Sequence, residues 1–263
     1  MGQEQAEETV EHVRDGVRLR TAPLIFTRTG VRNVDRAAIE EFGVPGVVLM
    51  ENAAAALELA ALELLADRSG GAVLCCGPGA NGGDGFALAR RLANADVAVA
   101  CLVAAELERV TGDALINLEI VRKMGLPLQT LSPTASVDEA AAAIGRLGEE
   151  VGGAALLVDA LLGTGAVGPL RDPLPSLVAA INRFGDEGAR ILAVDIPTGL
   201  DCDTGEPFEA RAVVEADATV TFCGLKMGFR RPGAAVWLGR VIVGDIGAPR
   251  EALLAHAEQP HKP

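Results

Sequence analysis

The sequence predicts an α/β fold: a three-layer, Rossmann-like, doubly wound and mainly parallel sheet with helices on both faces. Three observations predict it. Short runs such as Ala72-Val73-Leu74-Cys75-Cys76 and Leu156-Leu157-Val158 are continuously apolar, the pattern of strands buried on both faces. Helical segments alternate with these runs, which makes βαβ units with right-handed crossovers. The length, 263 residues, suits a single large domain of this class.

In chain order, residues 1–24 are polar, charged and weakly periodic, and are expected to be an N-terminal extension. The domain is expected over 25–248, and a C-terminal tail over 249–263. From Val31 to Leu65 the pattern is helical, with Val31, Val34, Ala37, Ala38 and Phe42 at helical spacing, a break at Gly43 to Gly46, and then a long Ala/Leu segment. Strands are expected over 72–76, 96–103, 154–159, 190–195, 219–222 and 240–243. Helices are expected over 84–93, 111–124, 137–147 and 174–184.

Composition excludes several chemistries. The histidines are His12, His256 and His261, so no imidazole lies between positions 13 and 255. Ser-His-Asp and Cys-His hydrolases and histidine-based zinc sites are thereby disfavoured. A net charge of -13 opposes phosphate backbones and argues against nucleic acid as a partner. It leaves room for a phosphorylated small molecule, because glycine loops and helix N-termini bind phosphate through backbone N–H groups. The five cysteines have no C-x-x-C spacing and read as reduced thiols. The N-terminus lacks the apolar core of a signal peptide, and the apolar stretch Val47 to Ala66 is interrupted by Glu51, Glu58 and Glu63. A cytoplasmic protein is expected.

Strand 72–76 runs into Gly77-Pro78-Gly79-Ala80-Asn81-Gly82-Gly83-Asp84-Gly85 and then a helix. Gly77, Gly79 and Gly82 match G-x-G-x-x-G in the strand-loop-helix setting of a dinucleotide fingerprint. A tight turn without a ligand is the bland alternative. Asp84 would compete with pyrophosphate for helix-start N–H groups. No acid closes a strand about 20 residues on, as a ribose partner would; Glu106 is the nearest and lies past a strand end. The loop is therefore not expected to hold a redox cofactor in the usual pose.

Two further apolar strands end in Asp159 and Asp195. The carboxyl ends of parallel strands share one edge, where open α/β sheets bind ligands, so both carboxylates should face the glycine loop. The alternative is that each caps its own following turn. Asn81, Asp159 and Thr198 would bring together an amide oxygen, a carboxylate and a hydroxyl, a hard oxygen set that suits a group 1 or group 2 cation. Asp195 would remain free to accept hydrogen bonds or a proton. Lys226 follows a strand, and its bland reading is a solvated loop lysine.

Together these segments resemble the NAD(P)H-hydrate epimerase family, also called the YjeF N-terminal domain family. The matching segments, in order, are Met50-Glu51-Asn52-Ala53, Asn81-Gly82-Gly83-Asp84-Gly85, Asp159 through Gly165, Asp195-Ile196-Pro197-Thr198-Gly199, and Thr221-Phe222 through Lys226-Met227-Gly228. The resemblance implies a homodimeric isomerase that interconverts the R and S forms of hydrated NADH and NADPH, a repair step feeding a separate dehydratase. The family's fused second domain is not expected here, since few residues follow Asp245. It implies substrate contacts at Ala80, Asn81, Gly82, Gly83 and Asp84, at Gly163, Thr164, Gly165, Ala166, Val167, Gly168 and Pro169, and at Asp195. It places a potassium ion on Asn81, Asp159 and Thr198. Asp195 and Lys226 are the expected catalytic pair. Ala80 stands where the family usually has Asn, which removes one amide, and Thr198 stands where Ser is common, which keeps the hydroxyl. The rival readings are an NAD(P)-dependent oxidoreductase and a non-catalytic nucleotide-binding or interaction protein of the same fold.

Overall fold

The computed structural model describes residues 10–14, 17–19 and 23–258. The rest of the expected extension and the end of the expected tail, with His261 and Lys262, lie outside the described residues.

Eleven strands are formed by the described residues: β1 (Val10–Arg14), β2 (Val17–Leu19), β3 (Ile25–Phe26), β4 (Gly71–Cys76), β5 (Val99–Val103), β6 (Leu128–Thr130), β7 (Ala154–Ala160), β8 (Arg190–Val194), β9 (Ala218–Phe222), β10 (Leu225–Lys226) and β11 (Arg240–Gly244). Nine build one sheet in the order β2-β1-β11-β9-β8-β7-β4-β5-β6, and β10 pairs with β3 apart from it. Every pairing in the large sheet is parallel except β1 with β2. Strand order runs outward from β4 through β5 and β6 and from β7 through β8, β9 and β11, so the topological switch lies between β4 and β7, where doubly wound sheets open a crevice.

The helices are α1 (Arg28–Arg36), α2 (Gly46–Leu65), α3 (Ala80–Asn94), α4 (Gly112–Lys123), α5 (Val137–Glu150), α6 (Leu174–Asp186), α7 (Ala235–Leu238) and α8 (Arg250–His256). Alternate strand residues feed two cores. Leu74, Cys76, Leu156 and Val158 pack with Leu57, Phe86 and Leu118 of α2, α3 and α4. Val73, Cys75 and Leu157 pack with Ile144 and Ile181 of α5 and α6 on the other face. These are the three predicted layers. At its start α5 carries a reciprocal cap, with Ser136 and Glu139 each bonding the other's backbone N–H.

Several boundaries differ from expectation. Residues 10–14 and 17–19, expected in an extension, are strands at one end of the sheet, β2 at the edge and β1 beside it, and their mixed polar sequence hides them from an apolar-run search. β6 is another polar edge strand. Asp96, expected to open a strand, has φ +60 and ends the turn after α3, so β5 begins at Val99. The expected helix at Asp84 begins at Ala80, so the second half of the glycine loop is the first turn of α3.

Candidate active site

The first turn of α3 follows β4 directly, and its glycines divide by what surrounds them. A Cβ on Gly82 would stand 1.8 Å from the Gly77 carbonyl oxygen, and one on Gly85 would meet Ala160 and Cys76 within 2.8 Å. These glycines let α3 lie close on the sheet. Gly79 faces open space. Gly79 and Ala80 are exposed, and no side chain caps this helix start. Its first N–H groups are left without a capping side chain, next to the exposed Gly79 and Ala80, an arrangement that suits an anion. The missing side chains serve helix packing at Gly82 and Gly85, and leave room for a ligand at Gly79.

Beside this turn, at the end of β7, Asp159 is completely buried. Its carboxylate accepts hydrogen bonds from Thr198 N at 2.7 Å, Thr198 Oγ1 at 2.8 Å and Leu161 N at 3.2 Å. Burial nevertheless pushes its carboxyl up to about 6, against the opposing pull of those bonds. Among the described residues Asp159 has no cationic side chain as a partner. Thr198 Oγ1 also accepts from Leu162 N, so the hydroxyl is locked in place. Asn81 is 7% exposed, and its Nδ2 has no hydrogen-bond partner among the described residues. A buried carboxylate without a cationic partner among the described residues, beside a fixed hydroxyl oxygen, fits a monovalent cation held by oxygen; Asn81 could add only its Oδ1, since the orphaned Nδ2 is a donor that calls for an acceptor instead.

Asp195 follows β8 with φ +65, a left-handed conformation that non-glycine residues seldom adopt and that concentrates at functional sites. The predicted strand ends one residue early for this reason. Asp195 Oδ1 lies 2.8 Å from Lys226 Nζ and accepts from Thr221 Oγ1 at 3.4 Å, while Oδ2 accepts from Thr164 N at 3.0 Å. Lys226 is completely buried and donates also to the Phe222 carbonyl at 2.9 Å. Burial alone would lower its pKa, but the Asp195 carboxylate outweighs that and holds it above the usual lysine value. The bland reading of a solvated lysine is thus corrected: the β3–β10 pairing folds Lys226 inward behind Asp195.

The segment 163–169 lies over this carboxylate. A Cβ on Gly163 would stand 3.1 Å from Asn81 Oδ1 and 3.2 Å from Asp195 Oδ2, which brings the glycine loop, this loop and Asp195 to one place. Val167 at the loop's tip is exposed. The loop is tied down from α1, where the Arg28 guanidinium donates to the Ala166 carbonyl and ion-pairs with Asp201 at 2.5 Å, and Arg32 donates to the Gly165 carbonyl at 3.3 Å. Asp84, just past the first turn of α3, has its carboxyl pushed well up by burial and by the charges of Asp195 and Asp35. Asp35 of α1 is pushed up to about 6 by burial and by Asp195, with Lys226 pulling the other way. Sequence reasoning missed Arg28, Arg32 and Asp35. Glu106, the weak ribose candidate, is exposed on a turn beyond β5.

A family model described as YjeF-related protein N-terminus matches residues 46–228. An NAD(P)H-hydrate epimerase of Rhodopirellula baltica is 42% identical over 224 residues, covering 85% of this chain and 84% of that protein. A second NAD(P)H-hydrate epimerase, of Pirellula staleyi, is 39% identical, covering 87% of this chain and 95% of that protein. The bifunctional NAD(P)H-hydrate repair enzyme Nnr of Salinibacter ruber is 36% identical over 90% of this chain, which spans 43% of that protein. In fold, a crystal structure of yeast ynu0 superposes with a TM-score of 0.72 at 19% identity, covering 90% of this chain and 95% of that one.

Proposed function

The chain belongs to the YjeF N-terminal family, that of the NAD(P)H-hydrate epimerases, and from this and its site we infer that it is an isomerase interconverting the R and S forms of hydrated NADH and NADPH. The observation that carries the reading is Asp195: a carboxylate in a left-handed backbone position, gripped by Lys226 and the Thr164 amide, beside an open helix N-terminus. Such a site can move a proton next to a bound anionic nucleotide.

The carbon to be inverted bears a hydroxyl and adjoins a ring nitrogen. Inversion proceeds by loss of the hydroxyl as water, driven by the nitrogen lone pair, and re-addition of water from the other side. Asp195 contacts the substrate and exchanges the proton. Lys226 is completely buried, so it acts through Asp195 as a positioning residue, fixing the carboxylate's direction and charge. Substrate phosphates are met by the N–H groups over 79–82 and by loop 163–169, which the Arg28 and Arg32 contacts hold over the site. Ala80 contributes only its backbone.

A potassium ion would be held by Asn81, Asp159 and Thr198. When bound, it would supply the positive charge that the buried Asp159 lacks and attract the anionic substrate. The chain would act as a homodimer through a face bearing Ile39, Phe42, Val48 and Ile116, all exposed; Gly46 lies against both Ile39 and Asp113, which joins these elements into one patch. Its partner in the reaction sequence is a dehydratase specific for the S hydrate, an activity carried by a separate protein or by a fused domain as in the bifunctional relatives. Free thiols, four of them buried, suit a cytoplasmic setting. Among the described residues no helix is long and apolar enough to cross a membrane.

The test adds the chain to an R and S hydrate mixture together with an S-specific dehydratase. The R form should then drain at a rate set by the amount of chain added; drainage no faster than with the dehydratase alone contradicts the reading.

A further inference from the structure

Epimerisation at a carbinolamine carbon asks for two proton transfers. The departing hydroxyl must receive a proton, and the incoming water must lose one on the opposite side of the ring. Asp195 is held by three contacts, from Lys226, Thr164 and Thr221. A carboxylate so fixed cannot attend both sides of a bound ring.

A second carboxyl, Asp35 of helix α1, lies close enough to Asp195 and Lys226 to feel both charges. Helix α1 begins just after β3, whose Phe26 is in register with Lys226 of β10. Cys223 packs against the cluster that Val31 and Val34 form with Phe26, which brings this helix near the 222–226 turn that carries Lys226. Arg28 and Arg32 reach from the helix to the Ala166 and Gly165 carbonyls. Asp35 follows Arg32 by three residues and Arg28 by seven, so it shares their side of the helix. It is half-buried, and its carboxyl makes no hydrogen bond or ion pair with any described residue. Arg28 is committed to Asp201 and Asp203, so it leaves Asp35 unpaired. Nor do these carboxyls serve as a metal cluster, since among the described residues no three His, Cys, Asp or Glu side chains converge to hold an ion.

We propose that Asp35 is a second catalytic carboxyl, which protonates the departing hydroxyl while Asp195 accepts the proton of the incoming water. The proposal rests on the epimerase reading and assigns its two proton transfers. In the forward direction the C–O bond breaks, the nitrogen lone pair forms the C=N bond of an iminium, and the Asp35 proton leaves with the oxygen as water. Water then adds to the opposite side, the C=N electrons return to nitrogen, and Asp195 takes a proton. One proton has passed from Asp35 to Asp195, and return of that proton through solvent resets the pair; in the reverse direction the roles exchange. The raised carboxyl of Asp35 supports the assignment, because a group near 6 still carries protons where an ordinary aspartate has lost them.

The experiment follows re-equilibration of the pure R hydrate of NADH by timed chiral chromatography with the full chain, Asp35→Asn and Asp35→Glu, and measures NADP binding to each by calorimetry. Asp35→Asn should lower kcat about 100-fold or more, the usual worth of a positioned acid, with NADP affinity changed less than about threefold. Asp35→Glu should recover part of the rate. An Asp35→Asn chain as fast as the unsubstituted one overturns the inference alone. A rate loss matched by an equal loss of NADP binding, and not relieved by Asp35→Glu, overturns it in favour of a structural role. An unsubstituted chain no faster than the blank overturns the epimerase reading and this inference with it.

Discussion

Asp35 and Lys226 show what single residues contribute beyond their place in a motif. The Asp35 carboxyl is faced by Asp195, Asp84 and Lys226 and lies near Cys223, with Arg28 and Arg32 on its own helix. Its folded value of about 6 lies above the ordinary 3.8. It therefore contributes stability that is fully present below 3.8 and is lost as pH rises through 6. At pH 8 the folded chain carries a destabilising charge worth on the order of 2 kcal/mol, allowing for partial exposure. Asp35→Asn, neutral throughout, should raise the melting temperature at pH 8 and lose that advantage near pH 4; an equal shift at both pH values contradicts the assignment. Thus a substitution that slows the reaction should stabilise the fold. Asn81, Asp159, Thr198 and Asp195 were legible because each closes an apolar strand or opens the turn beside one. Lys226 was legible as a residue but not as a buried one, since its inward turn depends on the two-residue β3–β10 pairing, which spacing does not reveal. Asp35 left a signal that went unread: it lies four residues after Val31 and three before Ala38, both buried, so a carboxylate sat on the core-facing stripe.

Among the elements, the start of α3 does two jobs at adjacent positions. Gly82 touches the Gly77 backbone, whereas Gly79 faces open space with φ -94. Gly82→Ala should destabilise the fold by about 3 kcal/mol or more, because the close atom is backbone and cannot swing away. Gly79→Ala should leave the melting temperature nearly unchanged and weaken nucleotide binding. Thermal unfolding and NADP calorimetry on the pair separate these outcomes, and equal destabilisation would contradict the division. The central strands were readable because both faces are covered and each is a continuous apolar run. β2 and β6 were not, because an edge strand needs polar residues on its solvent side and so loses that signature; nor was β1, which lies between β2 and β11 but is written with Glu11, His12 and Arg14. The start of α3 was placed four residues late because consecutive glycines are poor helix formers; here close packing on β4 and β7 overrides propensity.

For the whole molecule, a charge of -13 repels an anionic nucleotide at long range, so binding depends on short-range donors: the open helix N-terminus, the loop amides and a held cation. The apolar face with Ile39, Phe42, Val48 and Ile116 is the proposed dimer surface. Ile116→Glu should convert a dimer to a monomer in sedimentation, with the melting temperature lowered by loss of association; an unchanged mass would move the interface elsewhere. The central claim is that this fold brings Asp195 to a bound hydrated nicotinamide nucleotide and uses it to move a proton. Its most direct test is re-equilibration of the pure R hydrate, corrected for spontaneous inversion, by the chain and by Asp195→Asn. The account predicts that the chain outpaces the blank and that Asp195→Asn falls back toward it while remaining folded and able to bind NADP. Undiminished re-equilibration by Asp195→Asn would contradict it.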